Sequence, residues 1–103
     1  AIGNEIQVLP KVYALYQNYP NPFNPSTSIT FALPHASKVT LAIYNVLGQK
    51  VRTLVRSKNY AAGTFAATWN GLDNAGRRVA SGIYFYKLKA GKFSAVKKMI
   101  LMK

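Results

Sequence analysis

Two packed antiparallel β-sheets, built from about seven short strands, are what this sequence predicts, and three observations carry the prediction. Apolar and polar residues alternate with a period of two in run after run, as they do in a strand with one buried face. Glycine, proline and asparagine interrupt these runs every ~8–12 residues, the spacing of turns. No segment sustains apolar spacing of three and four residues, so no long helix is expected.

Taken in order, residues 1–11 read as an N-terminal arm or linker, and residues 12–103 as one domain whose first strand lies in residues 12–16. The segment from Tyr19 to Thr27 follows, with Pro20, Pro22 and Pro25 arranged around Phe23. Each proline biases the residue before it toward extended geometry, here Tyr19, Asn21 and Asn24. Asn18, Asn21 and Asn24 can close turns with their own side chains. The segment is therefore a rigid collar, and Phe23 is expected to plug one end of the sandwich.

Ile29, Phe31 and Leu33 then alternate with Ser28, Thr30 and Ala32, until Pro34 ends the strand. Val39, Leu41 and Ile43 alternate with Thr40, Ala42 and Tyr44 in the next. Asn45-Val46-Leu47-Gly48 is a tight connection in which Gly48 can take positive φ, and residues 49–55 return as a hairpin partner. Lys58-Asn59 reads as a polar loop. Phe65, Ala67 and Trp69 form another alternating run, with Trp69 the expected core anchor. Residues 70–82 hold three glycines with Asp73 and Asn74 and read as successive turns. From Gly82 to Ala90 the strand signal is clearest, with Tyr84, Tyr86 and Leu88 inward and Ile83, Phe85, Lys87 and Lys89 toward water. A turn at Gly91-Lys92 leads into a last strand over residues 93–102. A chain with this many short alternating strands and a buried tryptophan suits an immunoglobulin-like sandwich.

Composition narrows the chemistry. The chain has 103 residues, half of them hydrophobic, enough for one domain with a real core. It has no cysteine, which removes disulfides, thiolate nucleophiles and cysteine-type zinc sites. Fourteen Lys and Arg stand against two acids, Glu5 and Asp73, for a net charge of +12. That leaves no carboxylate pair for glycoside hydrolysis and too few oxygen ligands for calcium. The one histidine, His35, sits in a proline turn, and no serine occupies a Gly-x-Ser-x-Gly elbow. The expectation is a protein that is not an enzyme and holds no cofactor or metal. There is no apolar run long enough for a membrane-spanning helix.

Several blocks occur together and in order: residues 15–27 around Asn21-Pro22-Phe23-Asn24-Pro25, then Ile43-Tyr44-Asn45-Val46-Leu47-Gly48-Gln49-Lys50-Val51, then Trp69-Asn70-Gly71 with Asp73 and Gly76. Ala80-Ser81-Gly82-Ile83-Tyr84-Phe85-Tyr86 and Lys98-Met99-Ile100-Leu101 complete the set. This succession resembles the carboxy-terminal sorting domain of type IX secretion substrates, and is similar to the related immunoglobulin-like domain of the flagellar hook-capping protein. The resemblance implies a non-enzymatic secretion and surface-attachment module recognised by the type IX outer-membrane machinery. In that family the domain can be exchanged after export for an anchor on surface lipopolysaccharide. It further implies a secreted or cell-surface location, reached through the periplasm. Its carried-over sorting signal is the last strand: Lys98, Met99, Ile100, Leu101, Met102 and Lys103. Asn21, Pro22, Phe23, Asn24, Pro25, Gly48, Trp69, Gly82 and Tyr84 are the structural positions of the pattern. This copy departs from the family in its acids, since Arg56 follows Leu54-Val55 and Asp73 stands alone.

The charge suggests a second kind of partner. A strongly cationic surface collects polyanions such as lipopolysaccharide, acidic polysaccharide or nucleic acid. Lys87 and Lys89 beside an exposed Phe85, with Lys92 at the adjacent turn and Arg77-Arg78 in a loop, are the candidate contacts. Edge lysines that prevent sheet-to-sheet pairing are the plainer reading of the same residues. An alternative function is a stand-alone secreted subunit that builds a homo-oligomer or filament when its arm, rich in Ile2, Ile6, Val8 and Leu9, adds as a strand to a neighbouring copy.

Overall fold

The alternating runs do form strands. The structure is a computed structural model that describes residues 8–102. Its seven strands among the described residues are β1 (Ala14–Leu15), β2 (Thr27–Leu33), β3 (Ser37–Tyr44), β4 (Lys50–Tyr60), β5 (Gly63–Trp69), β6 (Gly82–Ala90) and β7 (Phe93–Leu101). They make two antiparallel sheets, one ordered β1-β2-β5 and the other β4-β3-β6-β7. The chain is an all-β immunoglobulin-like sandwich.

Period-two patterning puts one side of each sheet inward. Ile29, Phe31 and Leu33 of β2 meet Val39, Leu41 and Ile43 of β3 and Tyr86 and Leu88 of β6, all fully buried. Trp69 closes the end of this core, its ring tilted against Phe23 at 5.7 Å and edge-on to Tyr84 at 5.3 Å. At the other end Tyr60 packs edge-on to Phe65 at 4.8 Å and to Phe31 at 5.6 Å.

Two strands depart most from the sequence expectation. Strand β1 is only Ala14–Leu15, shorter than residues 12–16. Strand β4 continues through Lys58-Asn59, read above as a loop, and pairs Asn59 with Lys38 and Tyr60 with Ser37. The physical reason is its place at the sheet edge, where a strand can carry successive polar residues because one side faces water. Register shifts between Val39, Leu41 and Ala42 absorb the change in phase, with Ser57 at φ 43 and its N–H donating to Thr40 Oγ1 at 3.2 Å. Arg52, Arg56 and Lys58 along this edge discourage pairing with another sheet.

The turns follow their residues. Gly48 takes φ 79, and the Asn45 carboxamide oxygen accepts from the Leu47 and Gln49 amides. Gly71, at φ 77, brings its α-carbon against the collar, where a Cβ would lie 3.4 Å from the Pro25 carbonyl oxygen. A side chain there would meet both backbone strain and a close neighbour.

Candidate functional site

The collar and the last strand form one unit. Phe23 is 2 % exposed and lies against Trp69, while its backbone pairs in parallel with the end of β7. The Phe23 N–H donates to Ile100 O at 3.0 Å, and the Met102 N–H donates to Phe23 O at 2.9 Å. Asn21 Oδ1 accepts from the Ile100 N–H at 3.0 Å, and Gln17 Nε2 donates to Lys98 O at 2.7 Å. Pro22 and Pro25 fix the backbone on both sides of Phe23 and Asn24, and the chain bends at residues 20–22 and 24–25 instead of running extended as the prolines alone suggest. Met99 and Leu101 point into the core, whereas Lys98 and Met102 are exposed and Ile100 is half-buried. Lys103, the final residue of the expected signal, lies outside the described residues, as do residues 1–7 of the arm.

A second knot sits just before the collar. The Tyr86 side chain crosses the core so that its hydroxyl donates to Tyr16 O at 2.7 Å and accepts from the Asn18 N–H at 2.8 Å. Burial pushes this phenol above its ordinary value, partly offset by the Asn18 amide. Asn18 is itself buried, with Nδ2 donating to Thr27 Oγ1 and to Pro20 O. Gln17, Asn18 and Tyr86 were not singled out as site residues by sequence. Gln17-Asn18 directly before the proline run was the available signal, but it does not reveal which strand receives them. Tyr86→Phe leaves the Asn18 N–H and the Tyr16 carbonyl without their buried partner. It should cost about 1–3 kcal/mol in urea unfolding, a change that a merely space-filling tyrosine would not show.

Near the start of β6, Tyr84 donates to Ala80 O at 2.6 Å, the backbone tie known as a tyrosine corner. Gly82 opens β6. Trp69 Nε1 donates to Leu72 O at 2.9 Å and so fastens the loop over residues 70–82 to the core.

The basic residues do not converge. Arg77 and Arg78 are exposed in that loop, which is bound to the start of β4 by Asn74 N–H to Val51 O and by Arg52 Nη1 to Asp73 O. The start of β4 pairs with the last residue of β3, Lys50 opposite Tyr44. Lys92 lies in the β6–β7 turn, whose Gly91 N–H meets Lys38 O near the first residue of β3. The two sets therefore occupy opposite ends of an eight-residue strand. Lys87 and Lys89 do share the outer face of β6, but Phe85 is half-buried and not exposed. Its cross-strand neighbour Tyr44 and the 45–48 turn cover it, in an open cleft of about 330 Å³ also lined by Lys87 and Val96.

Asp73 serves its own turn. Its Oδ1 accepts from the Arg77 and Ala75 amides at 2.9 Å, and Arg77 Nε lies 3.6 Å from Oδ2. The Arg77 amide is the main cause holding this carboxyl below its ordinary value; desolvation opposes it, and the Ala75 amide and the Arg77 and Arg52 charges add to the lowering. Because the folded pKa is depressed, the turn's contribution is present above the unfolded carboxylate value and is lost as pH falls through the lower folded one. A carboxyl NMR titration should place the Asp73 midpoint below that of Asp73 in the urea-unfolded chain. His35 is exposed at the opposite end, near Tyr13 at 6.4 Å between ring centroids.

Comparison with known proteins gives one sequence family and a set of similar folds. The chain superimposes on part of latent PorU from Porphyromonas gingivalis with a TM-score of 0.70 and 21 % identity, over 92 % of this chain and 10 % of that one. It is also similar to part of PorZ, an essential surface component of the type IX secretion system of the same organism, with a TM-score of 0.57 and 20 % identity, over 88 % of this chain and 11 % of that one. At such identities the likeness is one of fold, and the chain spans about a tenth of either protein. No curated protein matches it in sequence. The family model described as the FlgD Ig-like domain matches residues 20–93, from the collar to the first residue of β7. By that match over most of its length, the chain belongs to the FlgD Ig-like domain family.

Proposed function

We propose that this domain is a non-enzymatic sorting and surface-attachment module of the type IX kind, read by outer-membrane machinery through its last strand. The observation that carries the reading is the lock on the end of β7: Gln17, Asn21 and Phe23 hold Lys98, Ile100 and Met102 along the free edge of the sheet. A strand held in this way presents Lys98 and Met102 outward in one geometry, so a receptor need not order them on binding. The family match and the fold shared with parts of PorU and PorZ support the same reading. It places the domain at the cell surface or outside the cell, after passage through the periplasm.

In this reading the domain does no catalysis of its own. His35 and Asp73 lie at opposite ends of the sandwich, and the Asp73 carboxylate is engaged by two amides of its own turn. The proposal predicts that residues 12–103, fused behind a periplasmically exported fluorescent protein in a type IX-competent cell, carry the reporter to the surface. Removing residues 98–103 should leave it in the periplasm. A full-length fusion that remains periplasmic would overturn the reading.

A further inference from the structure

Strand β7 is the outer strand of its sheet, and its free edge is divided in two. Ile100 turns both its N–H and its C=O to the collar, away from β6. In an antiparallel ladder every second residue does the same, so Ser94, Val96 and Lys98 share that direction. From Lys98 O onward these groups are taken by Gln17, Asn21 and Phe23. Ser94 and Val96 have no backbone partner on that side among the described residues, and both are exposed, Val96 by 55 %.

Side chains around this open half select what could pair with it. Lys97 sits at the edge opposite Tyr86 in the ladder, a placement that repels apolar and basic strands but favours an acidic one. On the outer face Val96 pairs with Lys87 and forms part of the cleft lined by Tyr44, Val46 and Phe85. Lys98 follows on the same face. Asp73 is bound within its own turn, away from this edge. With fourteen basic residues against two acids, a second copy of the chain is a poor occupant.

We propose that the open edge at residues 94–97 takes an extended acidic segment of another protein, added as a strand beside β7. Main-chain hydrogen bonds to Ser94 and Val96 hold the segment, an apolar side chain covers Val96 at the mouth of the cleft, and the carboxylates, on the opposite face of the alternating segment, meet Lys97. The inference is independent of the export reading, since it concerns the half of β7 that the collar leaves uncovered.

The test uses the full chain, isotopically labelled, and a soluble synthetic peptide that alternates glutamate with valine and phenylalanine. Amide shifts and slowed hydrogen exchange are expected at Ser94 and Val96. Val96→Pro removes an N–H that β6 does not use, and should weaken binding roughly tenfold or more. Lys97→Glu should weaken it to a similar degree. The same peptide N-methylated at alternate residues, which leaves the protein untouched, should not bind. No shifts at millimolar peptide would overturn the proposal, as would shifts confined to another surface or equal binding by the N-methylated peptide. Binding to phosphatidylglycerol vesicles without peptide binding, or self-association that buries this edge, would also overturn it.

Discussion

Trp69→Ala is expected to lower the unfolding free energy by about 3–5 kcal/mol, at the top of the range for a single truncation. The indole is completely buried and touches both Phe23 and Tyr84, so alanine leaves a cavity bounded by two aromatic rings. It also releases Leu72 O, which the indole N–H holds, and with it the loop over residues 70–82. A domain of this size has about 5–15 kcal/mol of net stability, so the variant should lie near the edge of folding. Urea unfolding at reduced temperature would measure the loss. A loss below about 1 kcal/mol would mean that the collar and loop collapse into the space, and that Trp69 is not the anchor of this end.

Phe23→Ala should cost about 3–5 kcal/mol as well, and its signature is more local. The ring is 2 % exposed, and the same residue carries both backbone bonds to the end of β7. Losing the ring loosens the segment that delivers those bonds. Hydrogen exchange at Met102 should therefore accelerate by more than at Tyr86, which pairs within the centre of the sheet. Because the Phe23 and Trp69 rings touch, the double variant should lose less than the sum of the two single losses, by about 0.5–3 kcal/mol. Strict additivity, or unchanged exchange at Met102, would show that the collar is held by its prolines and not by its phenylalanine.

Much of this fold is legible residue by residue. The alternation in β2, β3, β5 and β6 marks strands because side chains of a strand point to opposite faces, so a one-sided core prints its period onto the sequence. Gly48 and Asn45 mark their turn because φ near 79 suits glycine and a short carboxamide can cap the amides beyond it. Strand β4 was only half legible. Lys58-Asn59 carries no apolar period, and an edge strand needs none where it faces water, so its length is decided by the pairing that β3 offers.

The candidate site was legible in its parts and not in its assembly. A phenylalanine among prolines reads as a fixed plug, since proline restricts the chain locally. That the plug clamps the last strand depends on the order β4-β3-β6-β7, which brings residues 21–23 beside residues 98–102. The Tyr86 bridge to Tyr16 and Asn18 spans the sandwich in the same way. The basic residues give the converse case: composition shows a cation-rich chain, yet Arg77 and Arg78 fold to one end and Lys92 to the other. Local physical chemistry thus determined strands, turns, the aromatic core and the charge of this protein. Which edge is locked, which is open and where its charges meet was decided only in three dimensions, because those properties belong to neighbours far apart along the chain.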